Sequence, residues 1–409
     1  MFKGLFDFKN QNFLVKWSII IPVFFYIIVG LLGLSSTSNF DSFISSTFYK
    51  QMLWIIIGMI AFIMVQYVRI QYLHDYSYIY FILLILLLIS TQFFPAIEGS
   101  KRWLIIGKIY FQPSELGKIL YVLGLARVFT DYKVKDKFST TYFFILFLSF
   151  IPPLLVFAQP DLGTAIIYMS LIIPILFWTK FEIKLIVLLI APLISMIAVS
   201  NLFIYYLWMI FLFLYLVFIK DRLYIRIMNF ALNLLAGIIS PYIWYNVLKQ
   251  HQRNRIETFI DPFSDPLGNG YQVIQSIISI GSGGLWGKGI GNGTQTHLKF
   301  LPVRDTDFII SVISEEMGFI VIFFILFFLL WFIYRVLDYA QRIENEYSST
   351  VVIGLLSIIS MHFIINLAMV AGLLPVTGLP VPFISYGGSF FLTCSIILGL
   401  INNIINNQI

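Results

Sequence analysis

The sequence predicts an all-α polytopic membrane protein, and three observations predict it. Of 409 residues, 59% are hydrophobic and only 11% charged. The mean hydropathy is +0.91. Apolar runs of about 18 residues or more recur along the whole length, which ordinary soluble domains do not show. Backbone in hydrocarbon must satisfy its own hydrogen bonds, as a helix does within one segment. The formal charge of +6 is then a matter of loop placement, and no nucleic-acid partner is expected. A single cysteine, Cys394, excludes an internal disulfide and a cysteine-based metal site.

Windows about 20 residues long are apolar near 17–34, 51–68, 76–94, 113–130, 141–158, 162–179, 183–200, 202–219, 227–248, 307–335, 351–374 and 383–405, so about twelve spans are expected. Lys3, Lys9 and Lys16 precede the first run together with Asp7, without a small-residue cleavage site, so that run reads as a span and not a removable signal. With the N-terminus inside, Arg69, the group Arg127, Lys133, Lys135 and Lys137, then Lys180, Lys220, Arg222, Arg335 and Arg342 all fall on the cytoplasmic side. That is the distribution the positive-inside rule requires, and it puts both termini in the cytoplasm. The chain 1–409 reads as one integral membrane domain, with long outer segments at 95–111 and 249–306 and shorter breaks at 158–161 and 375–382.

The outer segments are themselves basic, with Lys101, Arg102, Lys108, Lys249, Arg253, Arg255, Lys288, Lys299 and Arg304. Long loops translocate regardless of charge, but Lys101 and Arg102 sit in a short one. Their charge has two readings, an anionic ligand at the outer face or pairing with lipid phosphates and Glu98.

The stretch RNRIETFIDPFSDPLGNGYQ, 253–272, combines Arg253 and Arg255 with two Asp-Pro pairs at Asp261 and Asp265. Guanidinium groups offer bidentate donors to phosphate. A carboxylate in a partly desolvated pocket can take a proton from an attacking hydroxyl. For either Asp alone, turn formation before Pro is the competing reading, and it weighs more for Asp261. The run GSGGLWGKGIGNG, 281–293, is not a phosphate-binding P-loop, because Ser282 and Gly289 occupy the positions that need Gly and Ser or Thr. It reads as a closely packed loop whose amides and Lys288 approach a ligand, or as a hinge. FQPSELGK opens a span at Pro113 and sets Glu115 and Lys118 on one helix face, as a structural ion pair or as the floor of a site. AQPDLGTA places Asp161 at an outer helix start, where capping free amides is its first role, and Asp307 in TDF reads the same way. The last outer loop, LLPVTGLPVPFISYGGS, supplies Ser385 and an amide-rich helix start. The four histidines are scattered, so no protein-only metal cage is expected.

In order from about residue 99 to 389, SKRW, FQPSE with Lys118, QPDLGTA, SDPLGNGYQ, NGTQTHLKFLPVRDTDF, SEEMG and GLLPVTGLPVPFISYGGS resemble the SEDS family of bacterial cell-wall polymerases. VTGLPVPF and GKGIGNGTQ are more similar to its elongation branch, RodA, than to its division branch, FtsW. The resemblance implies a peptidoglycan glycosyltransferase that polymerises lipid II at the outer face of the bacterial cytoplasmic membrane. A class B penicillin-binding protein and other elongation-complex membrane proteins are its implied partners. Asp265 is then the general base, with Arg102, Lys118, Arg253 and Arg255 offsetting charge on the diphosphates. Glu115, Asp161, Lys288 and Ser385 complete the expected substrate-binding set, and a divalent cation at the lipid diphosphate stays open.

Three departures accompany the resemblance. The family usually has ten spans, so two helices within 183–248 are expected as an added pair. Position 305 is Asp where the RodA pattern commonly has His, and Phe390 follows Ser389 where a second Ser is usual. A lipid II flippase would also want a cationic cavity. An FtsW-type polymerase and a wall-elongation scaffold are further rivals, and a scaffold would not require Glu115, Lys118 and Asp265 at membrane depth.

Overall fold

The computed structural model describes residues 14–38, 46–97, 99–106, 109–131, 140–219, 223–266, 268, 270–294 and 303–408. Along the chain lie α1 (Trp17–Thr37), α2 (Thr47–Val65), the short α3 (Ile70–Asp75), α4 (Ser77–Ser90), α5 (Pro113–Asp131), α6 (Thr140–Phe157), α7 (Leu162–Trp178), α8 (Ile183–Ala198), α9 (Leu202–Phe218) and α10 (Leu223–Tyr242). Then follow α11 (Gln250–Ile260), α12 (Tyr271–Ser282), α13 (Ile309–Arg342), α14 (Glu346–Val370) and α15 (Gly388–Gln408). Each apolar window of the sequence carries a helix. Six of them (α1, α2, α10 with its continuation to Val247, α13, α14 and α15) are long and apolar enough to cross a membrane unaided, while α4 and α6 to α9 are shorter apolar helices. The α5 helix is different: it bears Glu115, Lys118, Arg127 and Asp131 and is buried over most of its length. A charged helix of this kind is tolerated at membrane depth because protein, not lipid, surrounds it. The one non-helical element among the described residues is an antiparallel hairpin of β1 (Leu104–Ile106) and β2 (Ile109–Phe111), with Leu104 opposite Phe111.

Where the sequence reads as one domain, the contacts divide it into two compact units, 176–254 and the remainder. The smaller unit contains α8, α9 and α10, the segment in which an added helix pair is expected. Its apolar centre is Leu188, Ala191, Met209, Leu212 and Leu216. Beside this, Ser195 donates to Asn233 Oδ1 at 2.6 Å and accepts from Trp208 Nε1 at 2.9 Å. Side-chain bonds of this type add about 0.6 kcal/mol each between membrane helices, so packing supplies most of the cohesion.

In the larger unit α2 packs along α15, α4 along α5, and α1 along α13. Its turns collect at two ends. At one end Tyr347 Oη donates to Leu73 O at 3.0 Å, and Arg127 contacts His74 and Asp131. At the other, Gln159 Nε2 donates to Thr91 Oγ1 at 2.9 Å and Tyr386 N to Asp305 O at 2.9 Å. These two sets are the loops that the alternation of spans assigns to opposite faces.

The α13 helix is interrupted at Gly318, whose φ of 76° and ψ of −177° lie outside helical space. The glycine-rich loop fills the break: Lys288 N and Gly289 N donate to the Glu315 and Glu316 carbonyls at 3.0 and 2.9 Å, and Phe319 N and Ile320 N donate back to Gly284 O and Leu285 O. A Cβ on Gly318 would stand 2.3 Å from Gly287 N. Glycine is required there on two counts, positive φ and close backbone approach. The loop is therefore a structural clasp on a broken helix, and the orphan carbonyls of the break find partners in it.

Candidate active site

The site begins with the short segment before α5. Lys101 N donates to Gln159 O at 3.3 Å, which ties Arg102 to the turn carrying Asp161. Asp161 caps α7 as expected, Oδ1 accepting from Thr164 N at 3.1 Å. Its second oxygen is used elsewhere: Oδ2 accepts from Gln112 Nε2 at 3.1 Å and lies 3.6 Å from Arg102 Nη1. Asp161 is 6% exposed and Arg102 33%, so the carboxylate is buried beneath a guanidinium that still reaches solvent. Arg102 Nε is buried and has no hydrogen-bond partner among the described residues. A guanidinium carries five N–H donors, so this one keeps at least one unused among them.

Arg255, on α11, and Asp307, immediately before α13, belong to the same electrostatic group. Arg255 interacts with Asp307, Arg102 and Asp161. Burial lowers the Arg255 pKa, with Asp307 opposing, and burial raises that of Asp307 against the pull of Thr306, Arg255 and Arg102. Burial thus disfavours the charged form of both Arg255 and Asp307, against the attraction between them. Asp307 is not the helix cap expected of it: the N-cap of α13 is Phe308, which makes no side-chain cap bond. Instead Asn366 Nδ2 grips Asp307 O at 2.9 Å and Leu379 O at 2.6 Å.

Deeper along α5, Lys118 Nζ donates to Glu115 Oε2 at 3.0 Å and lies 2.9 Å from His362 Nε2. Lys118 is fully buried. The pair is adjacent to the Arg102 group through Tyr168, whose hydroxyl donates to Ser114 O at 3.0 Å and which interacts with both Glu115 and Asp161.

Asp265 closes a short 3-10 turn, Pro262–Ser264, and is exposed. That corrects the expectation of a partly desolvated carboxylate: the turn presents it outward, so any desolvation must come from what binds over it. Gly270 N donates to Asp265 O at 3.0 Å, and a Cβ on Gly268 would fall 2.2 Å from Asp265 Oδ2. Asp261 behaves as the turn reading expects, Oδ1 accepting from Phe263 N at 3.0 Å.

Two expected residues, Lys288 and Ser385, are engaged within the protein. Lys288 pairs with buried Glu315 at 2.7 Å and donates to Ser282 and Thr294 at 2.9 Å each, within the clasp on α13. Ser385 donates to Thr306 O at 2.7 Å and accepts from Val381 N at 2.8 Å, so it pins the loop between α14 and α15 beside Asp307. Arg253 lies two residues from Arg255 on α11, a spacing that turns the two to different faces.

The model of the FTSW_RODA_SPOVE family of cell cycle proteins matches residues 11–209 and 203–408. The peptidoglycan glycosyltransferase MrdB of Escherichia coli K12 is 36% identical over 327 residues, 80% of this chain and 76% of that protein. The chain belongs to the FTSW_RODA_SPOVE family. Another relative within it, the peptidoglycan glycosyltransferase RodA of Treponema pallidum, is 31% identical and is matched over 93% of this chain and 95% of its own length. The all-α fold is shared with a solved chain of a peptidoglycan synthase complex, with a TM-score of 0.71, 24% identity and coverage of 97% and 99%. It is shared also with Thermus thermophilus RodA, with a TM-score of 0.62, 18% identity and coverage of 98% of each chain.

The structure brings the expected Arg102, Asp161, Arg255, Glu115 and Lys118 together and adds His362, Asn366 and Asp307, none of which the sequence placed among them. A histidine inside an apolar span was the available signal for His362, since an ionisable group there needs a partner. No group of three or more His, Cys, Asp or Glu side chains among the described residues could hold a metal ion. Asp161 and Asp307 already face arginines. Were a divalent cation to bind, Asp265 is an exposed carboxylate that would hold it.

Proposed function

We propose that this chain is a peptidoglycan glycosyltransferase, polymerising lipid II at the outer face of the cytoplasmic membrane for cell elongation. The observation that carries the reading is Arg102 over the buried Asp161 carboxylate with Arg255 and Asp307 beside them, at the end of the bundle where the expected outer loops meet. The reaction joins an acceptor sugar hydroxyl to the anomeric carbon of a donor and expels a lipid diphosphate. Asp265 takes the hydroxyl proton as the new C–O bond forms. Arg102 and Arg255 face the charge that accumulates on the departing diphosphate, and fixed cations in a dry site stabilise it far more than water-exposed ones. Their carboxylate partners hold the guanidiniums in place beforehand, so little reorganisation accompanies the step. A single displacement inverts the anomeric centre. If a divalent cation binds, it neutralises diphosphate charge alongside Arg102 and Arg255.

The names of the E. coli and T. pallidum relatives support the enzyme class. The synthase complex, described as coordinating polymerization and crosslinking, supports a transpeptidase partner of the class B penicillin-binding type. The outward direction of the site rests on the placement of basic loops. Purified protein with labelled lipid II, with and without its cognate transpeptidase, tests the reading, and a ladder of glycan products is expected. Lipid II crossing between leaflets without polymer would assign a flippase instead.

A further inference from the structure

The environment of Lys118 explains two features that the polymerase reading leaves unused, the buried His362 and the bulk of Phe390. Lys118 Nζ donates to Glu115 Oε2 at 3.0 Å, lies 2.9 Å from His362 Nε2, and stands 5.4 Å from the centroid of the Phe390 ring. With no exposed surface, two hydrogen bonds and an aromatic face, this ammonium is enclosed by protein, and its charge acts on the site from a fixed position.

The tautomer of His362 follows from its partners. Nδ1 lies 3.2 Å from Pro380 O, and a carbonyl can only accept, so Nδ1 carries the hydrogen. Nε2 of the neutral ring then presents a lone pair, and Lys118 is the donor. Phe390 closes the arrangement from behind, its ring centroid 4.7 Å from that of His362. A chain of contacts thus runs from the rigid outer loop at Pro380, through His362, to Lys118 and the Glu115 carboxylate. Glu115 in turn sits with Asp161 around Tyr168.

We propose that His362 is a positioning residue for polymerisation: oriented by Pro380 and backed by Phe390, it fixes Lys118 and through it the Glu115 carboxylate at the floor of the site. The proposal rests on the polymerase reading. Its physical basis is that a side chain held by two independent bonds keeps one geometry, whereas an ammonium bonded to Glu115 alone would swing with it. Misplacement of a catalytic constellation by about 1 Å can lower turnover roughly a hundredfold.

The test uses the full-length protein and the substitutions His362→Leu, His362→Gln and Lys118→Met. His362→Leu removes both bonds and should lower kcat for lipid II roughly a hundredfold while KM moves little, since no group that touches the lipid has changed. Glutamine offers an oxygen to Lys118 and an N–H to Pro380, and should restore most of that loss. A wild-type kcat in His362→Leu overturns the proposal, as does a well-folded His362→Gln that stays as slow as His362→Leu. A second measurement needs no catalysis. In a double-mutant cycle on the thermal midpoint, His362→Leu with Lys118→Met should lose less than the sum of the single losses, by roughly 2–4 °C. Additive losses would show that the two side chains are not coupled. If wild-type protein makes no polymer while the cycle still shows coupling, the functional reading fails and the His362–Lys118 contact stands.

Discussion

Gln112 and Arg102 converge on one oxygen of Asp161: Gln112 Nε2 donates to Oδ2 at 3.1 Å and Arg102 Nη1 lies 3.6 Å from it. Because Oδ1 is already occupied by Thr164 N, the carboxylate cannot rotate, and Arg102 is held against a fixed partner. The guanidinium keeps donors in reserve, which is the condition for receiving an oxyanion without prior rearrangement.

Arg102→Ala and Arg255→Ala should therefore lower lipid II turnover by about a hundredfold each, the loss that removal of one preorganised donor produces. Lysine in either position retains charge but not the planar fork and should recover activity only in part. Steady-state turnover alongside the thermal midpoint checks this. Full activity in the alanine variants removes these residues from the site, and collapse of the midpoint makes their role structural.

Asp307 offers a test on stability and pH. Burial holds its carboxyl above the ordinary carboxylate range, so the folded protein keeps this proton to a higher pH than the unfolded chain does. Its contribution to stability is then complete below the ordinary value of about 4 and is lost as pH rises through the folded value. At neutral pH, where the unfolded chain carries this group ionised, its burial weakens the fold. Asp307→Asn, which mimics the neutral form, should raise the thermal midpoint at neutral pH, with the gain shrinking toward about pH 4, while turnover falls. Stability gained together with activity lost marks a charge kept for function. A lower midpoint at neutral pH would contradict the assignment.

Topology is tested at the turn between α9 and α10, where Lys220, Asp221 and Arg222 lie outside the described residues. Native Cys394 is buried, so an impermeant thiol reagent meets little background. Asp221→Cys should resist the reagent from outside intact cells, and Phe263→Cys, at an exposed residue of the outer segment, should react. Labelling of Asp221→Cys from outside would overturn the twelve-span alternation.

Helix placement was legible in the sequence because hydrocarbon imposes one rule on every span, a run of apolar residues, and all twelve windows carry helices. The Arg102, Asp161 and Lys118 positions were legible because charge near a bilayer is costly and therefore informative. What charge alone could not reveal is pairing over distance. Asp307 looked like a helix cap because local spacing suggested one, yet its surroundings come from α11 and the Arg102 segment. Lys288 looked like a ligand group, yet Glu315, 27 residues away, takes its ammonium. His362 was one scattered histidine until α14 set it against α5.

Substitution distinguishes the two aspartates of the 253–272 stretch as candidate bases. Asp261 Oδ1 accepts from Phe263 N at 3.0 Å, a bond that asparagine reproduces with its amide oxygen, so Asp261→Asn should retain substantial activity. Asp265 is exposed, and Gly268 leaves its carboxylate the space that any side chain would take, a Cβ there falling 2.2 Å from Oδ2. Asn at 265 keeps the shape and the turn but cannot accept the proton of an attacking hydroxyl. Asp265→Asn should therefore be expressed, bind lipid II and its transpeptidase, and lose about a hundred- to ten-thousand-fold in polymerisation. Gly268→Ala should lower turnover as well while leaving lipid II binding intact, because it displaces the carboxylate and leaves its chemistry unchanged. A gel of glycan products resolves the set. Wild-type polymerisation by Asp265→Asn would move the base to another carboxylate, and Glu115 would be tested next.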